Sequence, residues 1–117
     1  MLKYFEISEF ECKCGCGESK MDIDFLLKLD KARMIADTPF KINSGYRCRK
    51  HNLEVGSTSE NHTSGHGSDI DAQSGPKRGK ILKGLYRAGF TRIGIHPEKK
   101  FIHVDDMNKT ESCWIYD

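Results

Sequence analysis

The feature that most constrains the fold of this chain is a pair of histidine-bearing segments far apart in the sequence. His62–Asp69 reads His-Thr-Ser-Gly-His-Gly-Ser-Asp, and Phe101–Asp105 reads Phe-Ile-His-Val-Asp. A catalytic zinc ion typically takes three nitrogen or oxygen ligands from the protein and leaves a fourth position for water. His62, Asp69 and His103 supply that set only if the fold brings a glycine-rich turn to a distant strand. The pattern therefore predicts a catalytic metal site and a metallohydrolase.

Both segments suit this role locally. Gly65 and Gly67 permit backbone conformations that other residues resist, so the turn can fold back and act as a clamp. Along Phe101–Asp105, alternation turns the odd-numbered residues to one face and the even-numbered residues to the core. Each ligand alone also has an ordinary interpretation, as a solvated loop histidine, a hydrogen-bonded strand histidine or a turn-capping aspartate. The metal hypothesis depends on the combination.

Length and composition describe an ordinary globular protein. The 117 residues fit one domain, 1–117, and 37% of them are hydrophobic while 31% are charged. A net charge of +2 gives little support to a nucleic-acid partner. No apolar run approaches the roughly 20 residues that span a bilayer, so membrane insertion is not expected. The first ten residues carry two acids and no long apolar segment, so we expect no secretory signal and synthesis in the cytoplasm.

The cysteines leave three interpretations open. There are five, and three of them form the dense motif Cys12-Lys-Cys14-Gly-Cys16. They could bind a second, structural ion with Cys48 as fourth ligand, although the spacing is not that of two Cys-x-x-Cys knuckles. Ordinary reduced thiols in a turn are the favoured interpretation, and a disulfide is the third. The odd count argues against a fully disulfide-bonded scaffold.

The hydrophobic pattern predicts an α+β domain. Neighbouring final strands with short connections favour a small antiparallel sheet, with helices packed on one face. The N-terminal arm 1–20 is expected to be irregular and anchored by Tyr4, Phe5, Ile7 and Phe10. The remaining expected elements are a helix from Asp22 to Asp37, a strand Phe40–Asn43, a helical turn Arg47–Val55, a loop 56–68, a strand starting at Asp69, a helix Pro76–Ala88 and strands Thr91–Ile95, Phe101–Asp105 and Cys113–Tyr116.

These segments together resemble the zinc D-Ala-D-Ala carboxypeptidase family of metallopeptidases, in particular its small members often encoded by bacteriophages and prophages. The resemblance covers nearly the whole chain and implies a hedgehog/DD-peptidase-like fold. The matching residues are Ser8–Phe10 with the cysteine motif, Ser44-Gly-Tyr-Arg47, His51-Asn52, Val55-Gly56, His62–Asp69, Gly89–Gly94 and Phe101–Asp105.

The resemblance implies a role for each site residue. His62, Asp69 and His103 would be the ligands of one catalytic Zn²⁺. Arg47 would face the substrate and hold its carboxylate or carbonyl, for which a guanidinium fork is suited; a surface salt bridge is its ordinary alternative. Asp105 would orient a ligand histidine or line the cleft.

The general base is not assigned by the resemblance. Many relatives carry an acidic residue three positions before the last histidine ligand, where this chain has Lys100, and others carry a histidine where this chain has Phe101. His96, Glu98 and Asp105 are the candidates, with a lean to His96. Two smaller departures are Glu60, where relatives often have serine, and His66, which is interpreted as a spare ligand or a solvated side chain.

We therefore expect a monomeric zinc-dependent peptidoglycan peptidase that cuts a stem or cross-link bond next to a D-amino acid. It would act on the cell wall after release or delivery. The alternative is a non-catalytic metal-binding structural or assembly module, which the departures at Lys100 and Phe101 make credible. A nucleic-acid-binding zinc module built on the cysteines is disfavoured by the balanced charge.

Overall fold

The computed structural model describes residues 2–116, and it has the predicted α+β architecture. After a 3-10 turn at Ile7–Phe10, three helices and five strands follow. The helices are α1 Ile23–Ala36, α2 Arg49–Glu54 and α3 Gly75–Ala88, and the strands are β1 Ile42–Ser44, β2 Gly67–Asp71, β3 Arg92–His96, β4 Phe101–Asp105 and β5 Ser112–Ile115. None of the helices in the described residues has the length and apolar character to cross a membrane.

The two long helices begin and end where their sequence predicts. The side chain of Asp22 accepts the backbone N–H of Phe25 and caps α1, and that of Ser74 caps α3 in the same way with Pro76 in the first turn. Gly89 ends α3 in the left-handed conformation at φ 102°. α1 ends at Ala36 with Asp37 as its C-cap, shortly before Pro39, as the proline predicts.

The sheet is mixed, which corrects the expectation of an antiparallel one. Its strand order is β1-β2-β4-β3-β5; β1, β2, β4 and β3 pair antiparallel in turn, whereas β5 pairs parallel with β3. β4 already has a neighbour on each side, so the chain leaving it crosses over to the free edge of β3. The short connection reverses the chain as expected, but it places β5 beside β3 instead of β4.

The sheet separates a hydrophobic core from a polar face. Ile70, Ile93, Ile102 and Val104 project from its three central strands and are fully buried. The other members of the core come mainly from α1, α3 and the N-terminal arm: Phe5, Phe10, Phe25, Leu26, Leu29, Ala32, Ala36, Phe40, Ile42, Ala72, Ile81, Leu85 and Phe90. The helices therefore pack on one face of the sheet, as predicted, and the opposite face remains for polar residues.

The N-terminal arm is anchored by two of its four expected residues. Phe5 and Phe10 are buried and their rings pack edge to face at 5.2 Å. Tyr4, which precedes the 3-10 turn, and Ile7 are exposed, because the turn directs only Phe10 of its apolar side chains inward. The carboxylate of Asp30 on α1 also accepts two backbone N–H groups of the arm. The arm is thus attached to α1 by both apolar and polar contacts.

One strand starts earlier than its composition indicates. β2 includes Gly67 and Ser68, which the sequence assigned to a loop. Ser68 is fully buried and its hydroxyl donates to the carbonyl of Ser44, while Gly67 pairs with Asp105 on β4. Pairing with neighbouring strands outweighs the weak strand preference of these residues. Asp69 therefore lies in the middle of a strand and not at the edge of a turn.

Candidate metal centre

Three potential ligands converge on the polar face of the sheet. Asp69 on β2 and His103 on β4 are directly opposed in the antiparallel ladder, so their side chains project from the same face. His62 reaches them from the segment between α2 and β2. His103 Nδ1 lies 2.9 Å from Asp69 Oδ1, and His62 Nε2 lies 3.5 Å from Asp69 Oδ2. One ligand atom from each residue falls within 4.8 Å of the others.

Both imidazole rings are oriented by hydrogen bonds on their outer nitrogens. Nδ1 of His62 lies 2.8 Å from the carbonyl of Gly45, to which it donates. Nε2 of His103 lies 2.8 Å from Asp105 Oδ2, to which it donates. His62 Nε2 and His103 Nδ1 are left facing Asp69. Two imidazole nitrogens and a carboxylate with outer hydrogen-bond acceptors form a donor set that fits zinc.

The electrostatics of the site favour charged groups despite burial. Burial alone would raise the pKa of Asp69, but hydrogen bonds from His103 and His62 hold it well below its ordinary value. Burial alone would lower the pKa of His103, yet hydrogen bonds to Asp105 and Asp69 raise it to about 9. The proton that His103 Nδ1 directs at Asp69 occupies a position for which a divalent cation competes.

Asp105 is held behind His103 by a network that the sequence did not reveal. The side chain is 1% exposed, and its Oδ1 accepts Arg92 Nε at 2.6 Å. Its Oδ2 accepts the side-chain amide of Asn61 at 3.2 Å in addition to His103. His103 and Arg92 lower the pKa of this carboxyl although burial would raise it. Asn61 directly precedes the candidate ligand His62, and Arg92 lies in the family-matching segment Gly89–Gly94. These positions are the only sequence features that point to a role for either residue in the site.

An aromatic side chain covers His103 from the edge of the sheet. Asp69, His103, Gly94 and Trp114 form one row across β2, β4, β3 and β5. A Cβ at Gly94 would overlap the indole of Trp114, so only glycine lets the indole lie across β3. The ring centroids of Trp114 and His103 are 5.7 Å apart. Trp114 therefore limits the movement of His103 on the side facing β5.

A cleft of about 210 Å³ opens over the three ligands. It is lined by the candidate ligands together with Arg47, Ser57, Ser59, Asn61, Phe101 and Tyr116. The guanidinium of Arg47 donates to Asn52 Oδ1 at 3.0 Å and to Ser44 Oγ at 3.1 Å. Among the described residues no carboxylate forms an ion pair with Arg47. Its positive charge is therefore left for a group that enters the cleft.

The three candidates for the general base, Asp105, His96 and Glu98, differ in their position relative to the cleft. Asp105 does not line the cleft, and its oxygens are engaged by Arg92, Asn61 and His103. His96, at the end of β3, packs at a tilt against Phe101 and stacks on Tyr116, with ring centroids 4.9 and 5.3 Å away. Its Nδ1 accepts the N–H of Lys99. It contacts two lining residues without lining the cleft itself. Glu98 is exposed in the following turn.

His66 is neither a spare ligand nor simply solvated. Its Nδ1 lies 2.7 Å from Asp106 Oδ1, and Nε2 lies 4.0 Å from Asp22, the N-cap of α1.

The adjacent Gly65 has φ 79°, and a Cβ there would overlap the carbonyl of Lys20. Gly67 lies against Asn61, where a Cβ would come within 3.0 Å. Gly65 therefore serves both backbone conformation and a close approach, whereas Gly67 serves only a close approach. The sequence predicted backbone conformation for both.

Comparison with known proteins supports the same family as the residue pattern. The sequence model of the family described as peptidase M15 matches residues 3–105, a range that includes all three candidate ligands, Arg47 and Asp105. No curated protein gives a significant match. The predicted resemblance is confirmed, and the match extends over most of the chain. The chain belongs to the peptidase M15 family, the metallopeptidases of the zinc D-Ala-D-Ala carboxypeptidase type.

Proposed function

We propose that this chain is a zinc-dependent peptidoglycan peptidase that hydrolyses a stem or cross-link peptide bond next to a D-amino acid. Family membership supports a zinc metallopeptidase, and the substrate is our inference. The observation that carries it is the position of Arg47. This cation has no acidic partner among the described residues and lines the same cleft as the three candidate ligands.

The donor set of His62, Asp69 and His103 is proposed to hold one Zn²⁺. When bound, zinc polarises a peptide carbonyl and lowers the pKa of water toward about 7. The protein contributes rigidity, since both histidines are fixed through their outer nitrogens and both are buried. A preorganised site of this kind needs little rearrangement during the reaction.

Arg47 is proposed to bind the carboxylate at the end of a stem peptide or the oxygen of the scissile carbonyl. Asn52 and Ser44 each take one guanidinium N–H and leave the remaining N–H groups for the substrate. A guanidinium fork pairs with a carboxylate in bidentate geometry, which fixes orientation as well as charge. This geometry favours a substrate with a free carboxylate close to the scissile bond.

The side chains around the ligands suit a small apolar residue. Phe101 and Tyr116 line one part of the cleft, and Ser57 and Ser59 line another. The aromatic rings offer contact to a methyl group such as that of alanine, and the serine residues offer hydrogen bonds to a peptide backbone. A cleft of this composition is consistent with a D-alanine-containing stem peptide.

Asp105 and Asn61 are proposed to position the site and not to exchange protons with substrate. Both oxygen atoms of the Asp105 carboxylate accept hydrogen bonds, Oδ1 from Arg92 and Oδ2 from His103 and Asn61. The hydrogen bond between Asp105 and His103 fixes the ring orientation in which His103 Nδ1 faces the proposed ion. His96 stays a prediction as the general base, supported by its ring contacts with the cleft residues Phe101 and Tyr116.

The experiment incubates the zinc-loaded chain with purified muropeptides and identifies the products by mass spectrometry. We expect release of D-alanine or a split stem peptide, and no product when the stem ends in L-alanine. His103→Ala should abolish the activity, whereas Arg49→Ala, an exposed arginine next to the site segment, should retain it. Zinc bound at His62, Asp69 and His103 without cleavage of any muropeptide would contradict the proposal and favour the non-catalytic module.

A further inference from the structure

A second group of possible metal ligands lies outside the cleft. The sulfur atoms of Cys12, Cys14, Cys16 and Cys48 all fall within 4.8 Å of one another. The Sγ atoms of Cys12 and Cys14 are 3.4 Å apart, those of Cys12 and Cys48 are 3.7 Å apart, and those of Cys14 and Cys48 are 3.6 Å apart. The fifth cysteine, Cys113, is exposed on β5 and is not part of this group.

These separations match those of a tetrahedral thiolate site. A Zn–S bond of about 2.3 Å places the sulfur atoms of a tetrahedral site about 3.8 Å apart. A disulfide instead requires about 2.05 Å and can join only one pair of sulfurs at a time. Here three sulfur atoms are at nearly equal distances, and the fourth is close by. We propose that the four cysteines bind one structural zinc ion.

The backbone around the cysteines is arranged as a binding loop. The N–H of Cys12 donates to the carbonyl of Glu18 at 2.8 Å, which closes the loop that carries three of the thiols. Gly15 and Gly17 have φ values of 89° and 78°, so the loop turns sharply between and after its cysteines. These two left-handed positions compensate for a Cys-x-Cys-x-Cys spacing that ordinary zinc knuckles do not use.

Two backbone N–H groups point at the sulfur atoms. The N–H of Cys48 donates to Cys12 Sγ at 3.4 Å, and the N–H of His51 donates to Cys48 Sγ, also at 3.4 Å. Donors around a metal-bound sulfur stabilise its negative charge and fix its direction. Thiols packed in a turn by chance have no reason to converge on one point with such donors.

The proposed ion joins the N-terminal arm to the segment that carries Arg47. Cys48 directly follows Arg47, while Cys12 follows the 3-10 turn that ends at Phe10. The arm and this segment already meet, since the N–H of Tyr46 donates to the carbonyl of Phe10 at 2.8 Å. The second zinc would therefore fix the backbone on both sides of the cleft arginine, independently of whether the cleft is catalytic.

The test measures metal content by mass spectrometry in the full chain purified with zinc. We expect about two zinc ions per chain in the unmodified protein and in Cys113→Ser, and about one in Cys14→Ser and in His103→Ala. Substitution with cobalt should give a thiolate-to-cobalt charge-transfer band that His103→Ala retains and Cys14→Ser loses. This band separates the second site from the proposed catalytic one.

Thiol reactivity tests the unmodified protein and does not depend on the folding of a variant. In the zinc-loaded chain we expect a thiol reagent to modify Cys113 rapidly, and the other four cysteines only after a chelator is added. About one zinc ion per chain with all thiols reactive, or a mass deficit that shows a disulfide within the cluster, would overturn the proposal.

Discussion

Among single residues, Arg47 differs from the other cations of the site because its partners are neutral. Arg92 is paired with a carboxylate, whereas Arg47 donates to an amide and a hydroxyl. We expect Arg47→Ala to lower kcat/KM for muropeptide cleavage by about 100-fold or more, as loss of an oxyanion-stabilising donor does. Zinc content should stay unchanged. Arg49→Ala is the matched control, and equal loss in both variants would argue against a role in the cleft.

Asp105 contacts His103, and we propose that it affects the ion through this contact and not as a ligand. Asp105→Asn keeps the size of the side chain but removes the charge that Arg92 and His103 share. We expect zinc affinity at the His62–Asp69–His103 site to fall by about 10–100-fold, the usual effect of losing such a partner. Competition with a chromophoric chelator measures it. An unchanged affinity would show that the ring of His103 is fixed by Trp114 alone.

His103 also gives the metal-free protein a defined pH dependence. Its pKa is raised from 6.5 to about 9, so the stabilisation it provides is fully present below pH 6.5 and is lost as pH rises through about 9. Asp69 acts oppositely: its pKa is lowered from 3.8, so its stabilisation is present above that value and is lost in acid. Between pH 6.5 and 9 the contribution of His103 to the stability of the metal-free fold therefore falls with rising pH.

The matched variant for this pH effect is His103→Gln. Denaturant unfolding of the metal-free proteins should show a stability advantage of the unmodified chain at pH 6. That advantage should shrink by roughly 2–3 kcal/mol by pH 9, from the energy equivalent of the pKa shift. Groups other than residue 103 are common to both proteins, so their contributions cancel in the difference. Parallel stability curves for the two proteins would contradict the assigned pKa of His103.

The candidate metal ligands could be predicted from the sequence, whereas most of the residues that hydrogen-bond around them could not. His62, Asp69 and His103 are recognisable because metal chemistry requires particular residue types, and the structure places them together. Asn61 and Arg92 act through contacts across 44 and 13 residues of sequence. Hydrogen bonds of this kind depend on strand register, which no local pattern encodes.

Among the secondary-structure elements, β3 depends on the absence of a side chain at Gly94. A Cβ there would overlap the indole of Trp114 on β5. We expect Gly94→Ala to destabilise the protein by about 1–3 kcal/mol, because overpacking shifts the surrounding side chains. Tryptophan fluorescence should change with it, since the chain has one tryptophan.

Gly79→Ala is the control for that prediction. Gly79 lies in α3 with open space around its Cβ position. Alanine is the better helix former by about 0.8–1 kcal/mol, so this substitution should stabilise the protein. Opposite shifts of the unfolding midpoint are expected for the two alanine variants. If Gly94→Ala were neutral, Trp114 would have to be able to move without cost.

The helices were more predictable than the sheet for physical reasons. Asp22, Ser74, Pro76 and Gly89 are local signals, and they set the helix ends within a few residues. The alternation in Phe101–Asp105 correctly separated core from polar residues. The parallel pairing of β5 could not be predicted, because it depends on which edges of the sheet are already occupied.

In the whole molecule, the hydrophobic core and the candidate metal site lie on opposite faces of the sheet. The hydrophobic core lies between the sheet and helices α1 and α3, and the candidate ligands lie on the other face. Removal of metal should therefore leave the core intact. We expect a chelator to abolish muropeptide cleavage, zinc to restore it, and the far-ultraviolet circular dichroism to change little.

Hydrogen exchange locates where metal removal acts. Amide protection should fall in residues 10–18 and 45–62, the segments outside the sheet that carry proposed ligands, because few backbone hydrogen bonds hold them once the metal is removed. Protection in α1 and α3 should be retained, since their buried faces pack in the core. In Cys14→Ser the loss should be confined to residues 10–18 and the neighbourhood of Cys48, and in His103→Ala to the neighbourhood of His62. Uniform loss of protection across α1 and α3 would mean that the metal sites and the core unfold as one cooperative unit. That result would contradict the independence expected from their positions on opposite faces of the sheet.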